Sequence, residues 1–189
     1  FAAAAVLVPD SELMMNRILT NPTRTGFFTA LEKMGAEVEC IRQWEEAGEL
    51  MGDLKIFHGP LNAITLTNQD IPGLIDELPI IAIIATQAVG KTEVRGAKEL
   101  RIKECDRIHA ICTNLKKMGV DIKELDDGFI INGPTKLKGT QIETFHDHRI
   151  AMAFTVAGLI ADGNVILDYP ECAFISYPEF YDELDNLTI

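Results

Sequence analysis

A chain of 189 residues, 47% of them hydrophobic, can bury one good-sized core and is too apolar to be disordered. With 29 acidic against 17 basic residues, its net charge of −12 sets repulsion against nucleic acid and anionic membranes, while an anionic small molecule needs only a local basic cluster. The four cysteines, Cys40, Cys105, Cys112 and Cys172, lack paired spacing. Neither a zinc site nor a disulfide framework is therefore expected, and reduced cytoplasmic thiols are.

The opening run, Phe1 followed by four alanines and Val6-Leu7-Val8, has no basic flank, is too short to cross a bilayer and stops at Pro9-Asp10-Ser11. It reads as a buried helix over 2–8. Its abrupt apolar beginning suggests a helix cut from a longer protein, so the chain is expected to be a fragment. A strand over 11–19, the loop Asn21-Pro22-Thr23-Arg24-Thr25-Gly26 and a helix closed by Gly35 follow. Two strand candidates, 37–42 and 53–57, come next, with Gly48 and Gly52 bracketing a longer connection.

This pattern returns. Thr29-Ala30-Leu31-Glu32-Lys33-Met34-Gly35 reappears as Thr113-Asn114-Leu115-Lys116-Lys117-Met118-Gly119, each followed by an alternating strand. Before the second copy stand the apolar helix candidate 80–89 and a strand over 91–95. After it come strands 121–125 and 129–132, joined by the hairpin signal Asp126-Asp127-Gly128. A shorter third copy runs from a helix over 150–160 through a strand over 164–168 to a last helix at 178–184. The unit is βαβαββ-like, and the near-continuous apolar runs predict helices packed on several sides. Periodicity leaves the choice between a two-layer α/β sandwich and an inside-out arrangement open.

Three helix mouths carry charge. Asp76-Glu77-Leu78-Pro79 opens the helix at 80. In Leu100-Arg101-Ile102-Lys103-Glu104-Cys105-Asp106-Arg107-Ile108, a helix starting near Lys103 puts Ile108, Ile111, Cys112 and Leu115 on one buried stripe, with Asp106 and Lys116 facing water. His146-Asp147-His148-Arg149 opens the third. From these residues alone Glu104 and Arg107 form either a local ion pair or an anion-binding helix start. Asp76 reads as an N-cap or a functional carboxylate, Cys105 as a buried small residue ahead of a nucleophile, and His148 as packed or functional. His58, His109 and His146 show no metal-ligand spacing.

In this order, Asp-Glu-Leu-Pro, Leu-Arg-Ile-Lys-Glu-Cys-Asp-Arg and Asp-His-Arg-Ile-Ala-Met, with Asn-Pro-Thr-Arg-Thr-Gly before them, closely resemble the C-terminal domain of the 5-enolpyruvylshikimate-3-phosphate synthase family over essentially the whole chain. The resemblance implies an α/β (α+β) fold: an inside-out α/β barrel domain, 1–189, of three repeats near 1–69, 70–146 and 147–189. Helices lie inside and small sheets outside, and this domain is the C-terminal lobe of a two-domain enzyme. It implies transfer of the enolpyruvyl group of phosphoenolpyruvate to the 5-hydroxyl of shikimate 3-phosphate with release of phosphate, in the shikimate pathway, in the cytoplasm, with no cofactor or metal.

On that resemblance Asp76 serves as base or proton relay beside shikimate 3-phosphate, Glu104 delivers a proton to phosphoenolpyruvate, and His148 orients this substrate or relays a proton. Arg107 and Arg149 bind phosphoenolpyruvate, Lys103 binds shikimate 3-phosphate, and Asp147 braces His148. Arg101 and Arg24 are read as structural. Two departures stand out: Glu99 where some relatives carry asparagine, and Ile175 where some carry lysine. The other partner implied is the missing N-terminal domain, without which the chain is expected to be inactive. Within enzymes the alternative is UDP-N-acetylglucosamine enolpyruvyl transferase, which the Lys103-to-Arg107 and Asp147-to-Arg149 motifs fit less well. Outside them it is a non-catalytic repeat domain binding a protein partner, for which the three helix mouths would lie apart.

Overall fold

The computed structural model describes residues 1–187; Thr188 and Ile189, the end of the expected 1–189 domain, lie outside them. In chain order the elements are α1 (Ala2–Leu7), β1 (Glu12–Leu19), α2 (Gly26–Lys33), β2 (Val38–Glu46), β3 (Glu49–Phe57), β4 (Thr65–Leu66), α3 (Leu78–Ala85), β5 (Gly90–Val94), α4 (Arg107–Lys117), β6 (Asp121–Leu125), β7 (Gly128–Gly133), β8 (Gln141–Ile142), α5 (His148–Gly158), β9 (Ile166–Leu167) and α6 (Phe180–Leu187). Short 3-10 turns cover Ile71–Gly73, Ile75–Glu77, Lys98–Ile102 and Pro170–Ile175.

The repeat is visible in individual hydrogen bonds. Both Gly35 and Gly119 take a left-handed φ, 91° and 89°, which glycine adopts without steric cost. Around them Ala36 N–H donates to Leu31 O and Gly35 N–H to Glu32 O, matched by Val120 to Leu115 and Gly119 to Lys116. Each helix is thus closed by the same Schellman motif, which satisfies its last carbonyls. The sheets repeat too. β1-β3-β2 has the order of β5-β7-β6, both antiparallel, and β4 lies parallel to β5 as β8 does to β9. Hence β4-α3-β5 and β8-α5-β9 are βαβ crossovers, and β4 to β7 form one complete βαβαββ unit.

Helices α1, α3 and α5 occupy the middle. On α3, Leu78 and the run from Ile81 to Ala85 are wholly buried, and one hydrophobic cluster joins residues of all three units. α3 packs directly against α1, α4 and α5. Val6 and Leu7, Gln87 and the run from Leu159 to Ala161, which end or follow the three central helices, line a single cavity of about 710 Å³. The C-terminal ends of the three helices therefore lie together, away from the N-terminal ends of α3 and α5, which Arg107 joins.

Three local expectations shift. The segment between Arg42 and Asp53 is a hairpin rather than a long connection, because Ala47 and Gly48 both take left-handed φ values, 52° and 82°. That is the geometry of a tight two-residue turn, and an alanine at its first position hides the signal. α3 ends at Ala85, not near Val89: the Thr86 hydroxyl donates to Ile83 O, and Val89 leaves to bridge Asn62. α4 starts at Arg107, four residues after Lys103, because Asp106 caps it by accepting the His109 N–H; Asp106 therefore does not stand on the helix facing water. The stripe of Ile108, Ile111, Cys112 and Leu115 is fully buried.

Candidate active site

The end away from the cavity is built from the mouths of α3, α4 and α5. Pro79, in the first turn of α3, needs no N–H there, and the 3-10 turn Ile75–Glu77 delivers Asp76 and Glu77 to the helix start. Asp76 does not cap the helix.

Arg107 is the hub. Its side chain is 1% exposed and reaches three carboxylates. Nε donates to Asp147 Oδ2 at 2.8 Å, Nη1 to Asp76 Oδ1 at 3.1 Å, and Nη2 to Glu104 Oε2 at 2.5 Å. Asp147, completely buried, is the N-cap of α5: its Oδ1 accepts the Arg149 and Ile150 N–H groups at 2.8 and 3.4 Å. Burial opposes its charge, but the Arg107 hydrogen bond and charge and the Arg149 N–H outweigh it, leaving the carboxyl below its usual range. One residue thus ties α4 to α5. The brace expected on His148 acts on Arg107 instead.

Asp76, 39% exposed, meets two further cations: Lys103 Nζ at 3.5 Å from Oδ1 and Arg149 Nη2 at 3.5 Å from Oδ2, while Arg149 Nη1 donates to its carbonyl at 3.0 Å. Desolvation pulls its pKa up, yet Arg149, Lys103 and Arg107 together hold it low, so this carboxylate is ionised at neutral pH. Glu77 behaves oppositely. Burial and the neighbouring Asp76 charge raise its pKa against Arg149, whose Nη1 is 3.7 Å away, and against Arg24. Glu104 is half exposed.

Asp76, Lys103, Glu104, Arg107 and Arg149 therefore meet at neighbouring helix mouths, with Arg107 buried beneath the partly exposed others. His148 is the half-buried first residue of α5, beside Arg149, with no hydrogen bond or ion pair among the described residues. Arg101 is structural: it donates to the carbonyls of Asp126 and Leu125 and to Asp106 and Glu124, fastening its turn to the β6–β7 hairpin. Glu99 and Ile175 are exposed. Burial first and the Asp147 charge second push the Cys105 thiol up to about 12, and its Sγ lies 3.5 Å from Asp147 Oδ2, an environment that disfavours a thiolate nucleophile. Among the described residues no group of three or more His, Cys, Asp or Glu side chains is arranged to hold a metal, and no helix is long and apolar enough to cross a membrane.

Sequence reasoning missed the weight of Asp147, named Glu77 only as part of a charged helix mouth, and read Arg24 as structural. Asp147 had one available signal, an N-cap aspartate directly before an apolar helix. The cavity described above and a second, of about 490 Å³ between α1, β1 and α6, contain none of these residues. Apolar volume and charged chemistry occupy different ends of the domain.

Buried central helices, small outer sheets and a charged cluster at the helix mouths define an enolpyruvyl-transferase-like α/β domain. A structure of EPSP synthase from Acinetobacter baumannii superposes with a TM-score of 0.94 at 34% identity, over 98% of this chain and 44% of that one. The enolpyruvyl transferase NikO from Streptomyces tendae, at 19% identity and a TM-score of 0.75 over 98% of this chain and 41% of that one, shares the fold. The family model for EPSP synthase (3-phosphoshikimate 1-carboxyvinyltransferase) matches residues 1–184, and the chain belongs to that family. The 3-phosphoshikimate 1-carboxyvinyltransferase of Persephonella marina is 46% identical over 188 residues, covering 99% of this chain and 44% of that protein. That of Aquifex aeolicus is 48% identical over 185 residues, covering 97% and 43%. The chain thus spans less than half the length of these curated relatives.

Proposed function

We propose that the chain is the C-terminal lobe, residues 1–189, of an enzyme that transfers the enolpyruvyl group of phosphoenolpyruvate to the 5-hydroxyl of shikimate 3-phosphate and releases phosphate. The observation that carries the reading is the meeting of Asp76, Lys103, Glu104, Arg107 and Arg149 at neighbouring helix mouths, in a chain that belongs to this family. A non-catalytic repeat domain would have no reason to gather three cations and two carboxylates at neighbouring helix mouths. Four free cysteines support a reducing, cytoplasmic setting.

The groups divide the work by environment. Asp76, ionised among three cations, accepts the hydrogen bond of the attacking hydroxyl and takes its proton as the oxygen bonds to carbon. Lys103, beside it, holds shikimate 3-phosphate. Arg149 and Arg107 take the anionic groups of phosphoenolpyruvate, and Arg107 exchanges Glu104 for the incoming carboxylate. That exchange frees Glu104 from its cation, so that it protonates the methylene carbon and then takes a proton back from the resulting methyl as phosphate leaves the tetrahedral adduct. His148, unpaired at the mouth of α5, orients the donor or passes a proton.

Two phosphates and two carboxylates enter with the substrates, more negative charge than Lys103, Arg107 and Arg149 can neutralise. The partly exposed cluster also leaves that charge in water. The other domain of the full-length protein supplies the remaining cations and closes the site. Steady phosphate release with both substrates tests this. The full-length enzyme turns over, Asp76→Ala or Glu104→Ala lowers its rate by about 10²–10⁴-fold, and the 189-residue chain alone shows no turnover. An unimpaired Glu104→Ala enzyme, or heat protection by a nucleotide sugar in place of shikimate 3-phosphate, would refute the assignment.

A further inference from the structure

We infer that Glu77 is a positioning residue that competes with anionic ligands for Arg149, so that an anion bound at Arg149 draws a proton onto Glu77. This rests on the reading of Arg149 as an anion-binding side chain. Arg149 is held between two acids, with Asp76 giving its carbonyl at 3.0 Å and its Oδ2 at 3.5 Å, and Glu77 Oε1 standing 3.7 Å from Nη1. The two acids differ in what else they hold. Asp76 also has Arg107 and Lys103, whereas the cations acting on Glu77 are Arg149 and Arg24.

An anion arriving at Arg149 weakens the stronger of the two attractions acting on Glu77 and adds a negative charge beside it. A carboxyl already raised by burial and by Asp76 then responds by protonating. By linkage, the anion binds more tightly wherever Glu77 is already neutral. Asp76, with two cations left, stays charged.

Arg24 sets the range over which this occurs. It is exposed and its guanidinium makes no hydrogen bond among the described residues. The backbone holds it near: a Cβ on Gly26 would lie 2.4 Å from the Gly73 carbonyl oxygen, so the loop before α2 is packed against the segment that leads into Glu77. The charged groups facing Glu77 are then Asp76 on its own turn, Arg149 from α5 and Arg24 from this loop, with Lys103 and Arg107 reaching Asp76 beside it. Removing Arg24 leaves Glu77 harder to ionise.

Sulfate is the probe, since it keeps both charges between pH 5 and 8. Titrating it into the ¹⁵N-labelled 189-residue chain, with the Arg149 amide and guanidinium resonances as readout, gives an affinity at each pH. Affinity of the unsubstituted chain should climb on acidification by up to about tenfold per pH unit, the limit for one linked proton. The Glu77→Gln chain should bind more tightly than the parent at pH 8 and lack this step, and Arg24→Ala should move the step to higher pH. The parent and Glu77→Gln chains share every other titratable group, so the difference between them isolates Glu77. Equal slopes in the parent and Glu77→Gln chains, with sulfate bound at Arg149 in both, would overturn the inference while leaving the site intact. Failure of sulfate to move the Arg149 resonances in any variant would overturn the reading of Arg149 and the inference with it.

Discussion

Replacing Asp147 by asparagine removes one charge from the centre of the site and almost nothing else. The amide oxygen can still accept the Arg149 and Ile150 N–H groups, so the cap of α5 survives, but the NH₂ now faces the Nε of a buried arginine. Removing one partner of a buried ion pair costs about 3–5 kcal/mol when the other charge is left alone. Arg107 keeps Asp76 and Glu104, both partly exposed, which reduces the expected loss to about 2–3 kcal/mol. Asp147→Ala also loses the cap and should reach about 3–4 kcal/mol. Urea unfolding of the chain at pH 7, followed by circular dichroism, measures both. The pH dependence supplies a further check. Asp147 is depressed in the fold, so its contribution is fully present above the unfolded carboxyl pKa of about 4 and is lost as pH falls through the lower folded value. The gap between the parent and Asp147→Asn chains should therefore be widest at neutral pH and begin to close below about pH 4. An asparagine variant as stable as the parent at pH 7, or a gap unchanged down to pH 3, would refute the hub assignment.

Other consequences can be checked on the same chain. Asn114 is buried and its amide pairs with both the N–H and the C=O of Glu143, at 3.0 and 2.8 Å, so Asn114→Leu should cost about 2–4 kcal/mol in chemical denaturation by orphaning two peptide groups; a loss under about 1 kcal/mol contradicts this. Brief alkylation at pH 8 should label exposed Cys40 and spare Cys105 and Cys112, both pushed up to about 12, and mass spectrometry showing Cys105 modified as fast as Cys40 would contradict the burial argument. Gly26→Ala forces a methyl against the Gly73 carbonyl and should destabilise by about 1–3 kcal/mol; a melting temperature unchanged from the parent would show that the loop carrying Arg24 is not held there.

Much of this molecule can be read without coordinates, because its information is local and repeated. Gly35 and Gly119 announce the same helix ending twice, Asp126-Asp127-Gly128 announces a hairpin, and unbroken apolar runs announce helices with no solvent face. The ordered motifs at three helix mouths supply the family and, by resemblance, the candidate site residues. Where local signals compete, the sequence underdetermines the outcome. Asp106 was a cap and not a helix residue, and Ala47 turned left-handed where only its strand partners across β2 and β3 demanded it. The electrostatics of the site belonged entirely to tertiary structure. Asp76 and Glu77 are adjacent acids on one turn, indistinguishable in sequence, yet packing gives the first three cations and leaves the second partly desolvated between Arg149 and Arg24. Asp147 and Arg107 are 40 positions apart, and only the meeting of the N-terminal ends of α4 and α5 brings that carboxylate to the guanidinium with water excluded. Charge interactions depend on distance and solvent exposure, and neither is a property of any short stretch of chain.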